Sequence, residues 1–377
     1  MATPRFVAAA LLLAAARALV APPSATRRVS RSAPPSAPRR ASRSALAAAV
    51  TKSDVAKCLR REYVSFFAPL ESEYYSSSVT FDDPLSSLSG LDAYRGNVDM
   101  LAGRTALGKV LFSDASINLH DVREKADGGL RTRWTLRVCF QALPWRPVAR
   151  FTGVSDYALD ADNKITGQTD YWDSIDLGSD GAYKRSSKLD GIKDFVDQLF
   201  GATPANDGEL PYELLRRGAT YSVRRYPAVA VAEVRYDQRP EGYDVLGSYA
   251  GGFNADKAKL QPFLPSIITV PRSGAGSKTM TWPMAIGDDA TLPDSNIVKS
   301  RVAQQVTVAC LTFPVAATGD AVSYFASELE KQLAADGLSP APGHDANWVV
   351  AQYDAIFSVG DRRNEIWIPL APGHLWD

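Results

Sequence analysis

From Leu130 to Gln141 the side chains alternate. Trp134, Leu136, Val138 and Phe140 fall on one side of the backbone, and Thr135, Arg137 and Cys139 on the other. A period of two sustained this long marks a β-strand with one buried face. Ala126-Asp127-Gly128-Gly129 just before it is turn chemistry, which predicts a hairpin with Ile117–Arg123. A second hairpin is predicted for Phe151–Leu159 and Lys164–Trp172, closing around Asp160-Ala161-Asp162-Asn163.

Helices precede these strands. Asp54 is placed to cap a helix in which Val55, Leu59, Tyr63 and Phe66 recur at three- and four-residue spacing. A second amphipathic helix carries Leu91, Tyr94, Val98 and Leu101, and between the two lies a short strand ending at Asp82-Asp83-Pro84. Helices followed by a long antiparallel sheet predict an α+β cone over residues 51–186, its helices covering the concave face. Asp82, Asp83, Asp170 and Asp173 are the carboxylates such a cone could use for proton transfer, although Asp83 and Asp173 also read as turn and cap residues. Trp134, Trp145, Tyr157, Tyr171 and Trp172 could line an apolar pocket or simply fill the core.

Residues 187–208 read as a joint. Ile192, Phe195, Val196 and Leu199 put an apolar stripe on a bridging helix, and Gly201 to Gly208 is a flexible linker by composition. A second folded block follows over 209–370, with residues 371–377 as a tail. Glu213–Leu215, Tyr221–Tyr226 and Val229–Tyr236 are strands by β-branched and aromatic content. Gly242 to Lys259 reads as a helix, with Tyr243, Leu246, Tyr249 and Phe253 at helical spacing across Gly251-Gly252. Met280–Met284 and Val298–Phe313 read as strands, and Ala321 to Gly337 as a second helix ended by its glycine.

This block opens with Pro211-Tyr212-Glu213-Leu214-Leu215 and Tyr221-Ser222-Val223-Arg224-Arg225-Tyr226. It closes with Tyr353-Asp354 and Arg362-Arg363-Asn364-Glu365-Ile366-Trp367-Ile368-Pro369-Leu370. In that order of signals it resembles the SOUL haem-binding family. The resemblance implies a distorted β-barrel flanked by two helices, and a non-covalent tetrapyrrole (haem or a porphyrin) as ligand. It places the macrocycle against the first helix and its neighbouring strands. A flat apolar ligand with acidic groups at one edge needs apolar contacts and a basic rim. Leu246, Tyr249, Phe253, Leu260 and Phe263 are the candidates for the first, and Arg224, Lys257 and Arg272 for the second. Of the family's lysine-to-valine segment the chain keeps only Thr269-Val270-Pro271. Ile268 stands where the methionine is usual and Arg272 where the final valine is. Arg362 and Arg363 invite two readings: pairing with carboxylates before the last strand, or clamping a propionate.

The first block resembles the uncharacterised domain that often precedes SOUL domains in plastid proteins. Phe81-Asp82-Asp83-Pro84, Leu143-Pro144-Trp145-Arg146-Pro147 and Asp170-Tyr171-Trp172-Asp173 carry that resemblance. It implies a ketosteroid-isomerase-like or nuclear-transport-factor-like cone.

Composition narrows the function classes. The 377 residues are 45% hydrophobic and 22% charged, with a formal net charge of +0. Residues 1–50 hold eight arginines and no acid, which leaves 34 basic against 42 acidic residues in the body. That excess of acid argues against general nucleic-acid binding. Met1 to Val20 has the shape of a signal peptide, and the Arg/Ser/Pro/Ala-rich stretch after it resembles a plastid transit peptide. The expectation is a bipartite plastid leader over 1–50, or alternatively a secretory signal with a basic linker. No later segment reaches about 18 unbroken apolar residues, so the mature protein is not expected to be transmembrane.

Cys58, Cys139 and Cys310 are too few and too scattered for a disulfide framework or a zinc site. The three histidines, His120, His344 and His374, lie off the expected wall, so a tetrapyrrole would bind without a protein axial ligand and no metal ligand is assigned. Gly274-Ala275-Gly276-Ser277-Lys278 has the wrong spacing for a phosphate loop, and no nucleophile elbow or HExxH occurs. The expected function is a tetrapyrrole carrier or buffer rather than an enzyme. The alternatives are an adaptor for a tetrapyrrole-pathway enzyme, and a cone-domain enzyme acting on a hydrophobic small molecule.

Overall fold

The computed structural model describes residues 50–64, 68–178, 180–201, 208–286, 291–354, 362–374 and 376. The leader up to residue 49, Phe66 and the linker residues 202–207 lie outside them. The chain forms two compact units. One holds the described residues up to 171 together with 186–200, and the other holds 172–185 with those from 201 on.

In the first unit, helix α1 (Lys52–Val64) starts at a reciprocal cap. The Asp54 amide donates to Thr51 Oγ1 (3.2 Å), and the Thr51 hydroxyl donates to the Asp54 carboxylate (2.6 Å). Thr51 is therefore the cap, and Asp54 completes the box from inside the first turn. Helices α2 (Leu91–Leu101) and α3 (Ala106–Leu111) follow. The sheet comprises β1 (Tyr75–Asp82), β2 (Ser87–Ser89), β3 (Phe112–Glu124), β4 (Leu130–Phe140), β5 (Val148–Leu159) and β6 (Ile165–Trp172), in the order β2-β1-β6-β5-β4-β3.

Both predicted hairpins form. Gly128 takes φ 86° in the first turn and Asn163 takes φ 56° in the second, where the Asp160 carboxylate accepts the amides of Asp162 and Lys164. β1 pairs with β6 in parallel, a departure from the expected antiparallel sheet. Two helices and three long strands separate the pair, so no hairpin forces the opposite direction. β4 also differs from a strand with one buried face. Thr132, Arg133, Thr135 and Cys139 are buried along with Trp134 and Val138. The core of this unit joins Val55 and Leu59 of α1, Tyr94 and Val98 of α2, and Val79, Leu130, Tyr157 and Ile165 of the sheet.

Helix α4 (Lys188–Gly201) packs into the first unit rather than bridging. Phe195 lies edge-on to Phe140 (5.3 Å) and parallel to Phe151 (6.2 Å), and Leu199 is buried. Gly191 sits so close to Pro84 that an added Cβ would stand 2.2 Å from the proline carbonyl oxygen, so only glycine fits.

The second unit is a curled half-barrel. Its strands are β7 (Glu213–Arg217), β8 (Ser222–Tyr226), β9 (Val229–Tyr236), β10 (Ser266–Pro271), β11 (Lys278–Pro283), β12 (Lys299–Ala303), β13 (Val306–Phe313), β14 (Asn347–Gln352) and β15 (Asn364–Pro369). They run in the order β12-β9-β11-β10-β14-β15-β13-β8-β7, antiparallel throughout. The single strand expected over 298–313 breaks at Gln304-Gln305 into β12 and β13. Helices α5 (Arg239–Ala250) and α6 (Gly319–Ala335) bury Leu246, Tyr249, Val322, Ala326, Leu329 and Leu333 against one face of the sheet, with Ile268, Met280, Val350 and Ile366. A second cluster, including Tyr226, Val308, Cys310, Ala351, Tyr353 and Trp367, packs on the alternate residues of the same strands.

Candidate ligand-binding site

The eight residues expected to form a tetrapyrrole wall do not share one surface. α5 ends at Ala250 instead of running to Lys259, because Gly251-Gly252 follows and Gly252 takes φ 110°. Its apolar stripe faces the sheet. Leu246 and Tyr249 are fully buried, and the Tyr249 hydroxyl donates to the Pro293 carbonyl (2.7 Å). Phe253 falls beyond the last turn and is 84% exposed. Leu260 packs on the helix-side core, whereas Phe263 belongs to the cluster on the opposite face. Lys257 stands exposed in a turn with φ 55°.

Arg224 is buried and spent. Its guanidinium grips the Glu365 carboxylate with two bonds, 2.9 and 3.1 Å, and lies over the Tyr212 ring. Glu365 also accepts from Tyr353 (3.0 Å) and Trp367 Nε1 (2.8 Å), and Arg363 bridges from it to Glu209 (2.6 Å). Arg363, Asn364 and Glu365 of the Arg-Arg-Asn-Glu segment are thus engaged within the fold. Burial by itself would raise the Glu365 pKa, but Arg224, the Trp367 N–H and Arg363 together hold it below the usual carboxylate value.

Of the eight residues Arg272 lines a cavity in this unit. It pairs with Glu330 of α6 (2.6 Å) and lies 5.9 Å from the centre of the Trp348 ring. The cavity, about 190 Å³, is walled by Trp348, Ile366, Trp367, Ile368 and Pro369, with Arg272, Thr269 and His344 at its edge. His344 is half-buried in the short turn His344–Ala346, and its Nδ1 lies 3.1 Å from the Ala341 carbonyl oxygen. A carbonyl can only accept, so Nδ1 carries the proton and Nε2 is left with its lone pair in the neutral ring.

A second cavity, about 160 Å³, shares Trp348. Ile268, Val270, Val322 and Val350 form its walls, and Tyr236, Arg239 and Lys278 its polar groups. Trp348, Arg239 and Tyr236 were not singled out from sequence. The available signal was β14 itself, where Trp348 and Val350 alternate with Val349 and Ala351 in the register that places them on the helix side.

The model of the SOUL heme-binding protein family matches residues 208–369, and that of an uncharacterized conserved protein (DUF2358) matches residues 53–167. The C-terminal unit is a SOUL domain. No curated protein matches the chain. Among solved structures, an NTF2-like protein of unknown function from Exiguobacterium sp. 255-15 is 20% identical, over 27% of this chain and 78% of that one, with a TM-score of 0.22. A hypothetical protein with ketosteroid isomerase-like fold from Catenulispora acidiphila DSM 44928, in complex with trimethylamine, is 13% identical over 32% and 78%, with a TM-score of 0.21. The EcmrR C-terminal domain is 13% identical over 42% and 98%, with a TM-score of 0.30. At these values the likenesses extend to neither ligand nor activity.

The residues around Trp348 in the SOUL domain suit a tetrapyrrole chemically. Aromatic and aliphatic walls meet a cationic rim, the combination that an apolar macrocycle with acidic side chains requires. Each cavity is smaller than the ~300–1,000 Å³ that encloses a drug-sized ligand, so a macrocycle cannot be engulfed and contact would be one-sided. Among the described residues no group of three or more histidine, cysteine, aspartate or glutamate side chains is arranged to hold a metal, and no helix is long and apolar enough to cross a membrane.

The cone holds a different polar centre. Glu62 of α1 is buried; it accepts from the Tyr75 hydroxyl (2.5 Å) and the Glu71 amide (2.8 Å). Burial raises its pKa. The Tyr63 and Tyr157 hydroxyls meet at 2.9 Å, beside Ser155, which also accepts from Trp134 Nε1. Tyr94 donates to Gln168, whose amide donates to Asp170 (2.7 Å). The residual cavity is about 10 Å³, room for no more than one water.

Of the carboxylates expected to matter, Asp82 is engaged by Lys188 (2.8 Å), Asp83 accepts the turn amides of Leu85 and Ser86, and Asp173 accepts from Tyr183 (2.6 Å). Glu62 and Asp176 are buried acids that the sequence does not single out, and Glu62 is the one that belongs to this centre. Its position was legible, since 55, 58, 59, 62 and 63 all fall on the stripe that α1 buries.

Proposed function

We propose that this protein binds a tetrapyrrole non-covalently through its SOUL domain and serves as a carrier or buffer in the plastid. The SOUL family supports tetrapyrrole binding in general, and it is a binding family rather than a catalytic one. The observation that carries the reading is the family match over 208–369, together with an aromatic shelf at Trp348 under the guanidinium of Arg272. The acid-free, arginine-rich first fifty residues support the plastid assignment. Binding would rest on contact area and pairing of acidic side chains with Arg272.

The test is a titration of the purified full chain with hemin and with metal-free protoporphyrin, followed by absorption and by tryptophan quenching. The expected result is comparable affinity for both ligands, and a loss of roughly tenfold for both in Arg272→Ala. One charge-assisted contact is worth about 1.5–3 kcal/mol. A preference for hemin above about a hundredfold, roughly 2.7 kcal/mol, that disappears in His344→Ala would show iron coordination through His344 instead. Failure of both ligands to bind would remove the reading altogether.

A second reading, a cone-domain enzyme on a hydrophobic small molecule, draws on the buried Glu62 beside Tyr75. The cavity of about 10 Å³ beside Glu62, too small for such a substrate, argues against it.

A further inference from the structure

We propose that the cavity between Tyr236 and the N-terminus of α6 is a distinct site for a small organic carboxylate, with the anionic head among Tyr236, Arg239 and Lys278 and the apolar body on Trp348. The tetrapyrrole reading is not needed for this site, which rests on its own residues.

Three independent features converge there. The first is the helix terminus. Thr318 caps α6 by accepting the Ala321 amide (3.3 Å), which leaves the amides of Gly319 and Asp320 at the positive end of a 17-residue helix. Gly319 and Thr318 line the cavity. The contrast with α5 is direct, because its start is already answered by the Glu241 carboxylate, which accepts the Gln238 amide (3.1 Å).

The second feature is Tyr236. It is 5% exposed, it lines the cavity, and its hydroxyl has no hydrogen-bond partner among the described residues. The ring is buried while the residue borders the cavity, so the unpartnered hydroxyl is free to bond a ligand there.

The third is uncompensated positive charge. Arg239 donates only to the Ala317 carbonyl (3.1 Å), and Lys278 reaches only the Asp237 carbonyl (3.5 Å). Neither forms an ion pair with a carboxylate among the described residues. The nearby acids are Asp237 and Asp320, both exposed, and Glu241, which is occupied with its own helix. Arg239 is close enough for its charge to act on the Tyr236 hydroxyl.

The ligand class follows from the size and the walls. A volume of about 160 Å³ with four aliphatic side chains and an indole beside a triad of donors suits a carboxylate on a short hydrocarbon body. A fully hydrated inorganic anion would leave those walls unused. Helix N-termini and arginines bind oxyanions generally, so phosphate is the informative competitor.

The experiment uses the full chain, with calorimetry and ligand-observed NMR. The probes are butyrate, butyramide and inorganic phosphate, and the variants are Tyr236→Phe and Lys278→Met. Butyrate should bind at least about tenfold more tightly than butyramide, the margin of one charged hydrogen bond. Each variant should weaken butyrate roughly fivefold to tenfold. Tyr236→Phe should melt no lower than the parent, because the hydroxyl it removes has no partner in the fold. Displacement of butyrate by phosphate supports the oxyanion head. Phosphate binding without butyrate binding overturns the organic acid. Equal affinity for butyrate and butyramide, no binding of either, or butyrate affinity unchanged in both variants overturns the site.

Discussion

Among the described residues two glutamates are buried, one in each unit, and their surroundings drive them in opposite directions. Glu365 of the SOUL domain is 0% exposed and Glu62 of the cone 4% exposed, so both lose hydration. Glu365 is met by two arginines and is held ionised. Glu62 meets a phenol, an amide and a thiol, with no cation in direct contact among the described residues, and burial dominates. Charge pairing, not depth, decides the state of a buried acid. The first arrangement fixes a fold. The second raises the pKa of an acid set among tyrosines.

The largest effect that can break this comparison is loss of the ion pair. Glu365→Gln leaves Arg224 buried with its charge uncompensated, which should cost about 3–5 kcal/mol in denaturant unfolding of the SOUL domain. Replacing both partners, Arg224→Met with Glu365→Leu, should recover most of that loss. If the double variant is as unstable as the single one, the damage is steric and the account of Glu365 as a charge-paired anchor is wrong.

Next in size is the response to pH. The folded pKa of Glu365 lies below its unfolded value of about 4.3. The stability it contributes is therefore complete above that value and is lost as pH falls through the folded pKa. Glu62 has the opposite sign. Its folded pKa is raised, so its contribution is complete below about 4.3 and is lost as pH rises through the raised value. Lowering the pH from 7 to 5 should leave the SOUL transition in place and move the cone transition up, whereas going below 4 should lower the SOUL transition. Thermal melts of the full chain across that range, followed by near-UV circular dichroism, read both. Transitions that move together would remove the contrast.

The same contrast explains what the sequence disclosed. Elements set by local chemistry were legible: both cone hairpins with their Gly128 and Asn163 turns, the Leu91–Leu101 helix, and the second helix of the SOUL domain up to Gly337. So was the SOUL family, through segments spread from Pro211 to Leu370. The ligand wall was not. Leu246 and Tyr249 fit a ligand face as well as a core face, because periodicity gives the side of a helix but not what covers it. Gly251-Gly252 reads in the sequence as an interruption, whereas in the fold it is a terminus, and this moves Phe253 out of the stripe. The Arg224–Glu365 pair joins residues 141 apart in sequence, a separation at which no local pattern operates. β1 beside β6, and α4 packed on Phe140 and Phe151, are long-range in the same way.

The smallest expected effect is the most discriminating. Glu62→Gln replaces the acid by an amide with the shape of the protonated carboxyl. Its oxygen can accept the Glu71 amide, and its nitrogen can donate to the Tyr75 oxygen with that bond reversed, so the contacts with Glu71 and Tyr75 survive. At pH 5 the substitution should change cone stability by less than about 0.5 kcal/mol, the range of a change that breaks no interaction. At pH 8 the native acid is under pressure to ionise in a site without a cation, whereas the amide is not. The variant should then be equal to or more stable than the parent, and the pH dependence of the cone transition should flatten. A loss above about 2 kcal/mol at pH 5, typical of an orphaned buried polar group, would mean that Glu62 is held ionised. The two buried glutamates would then be alike after all.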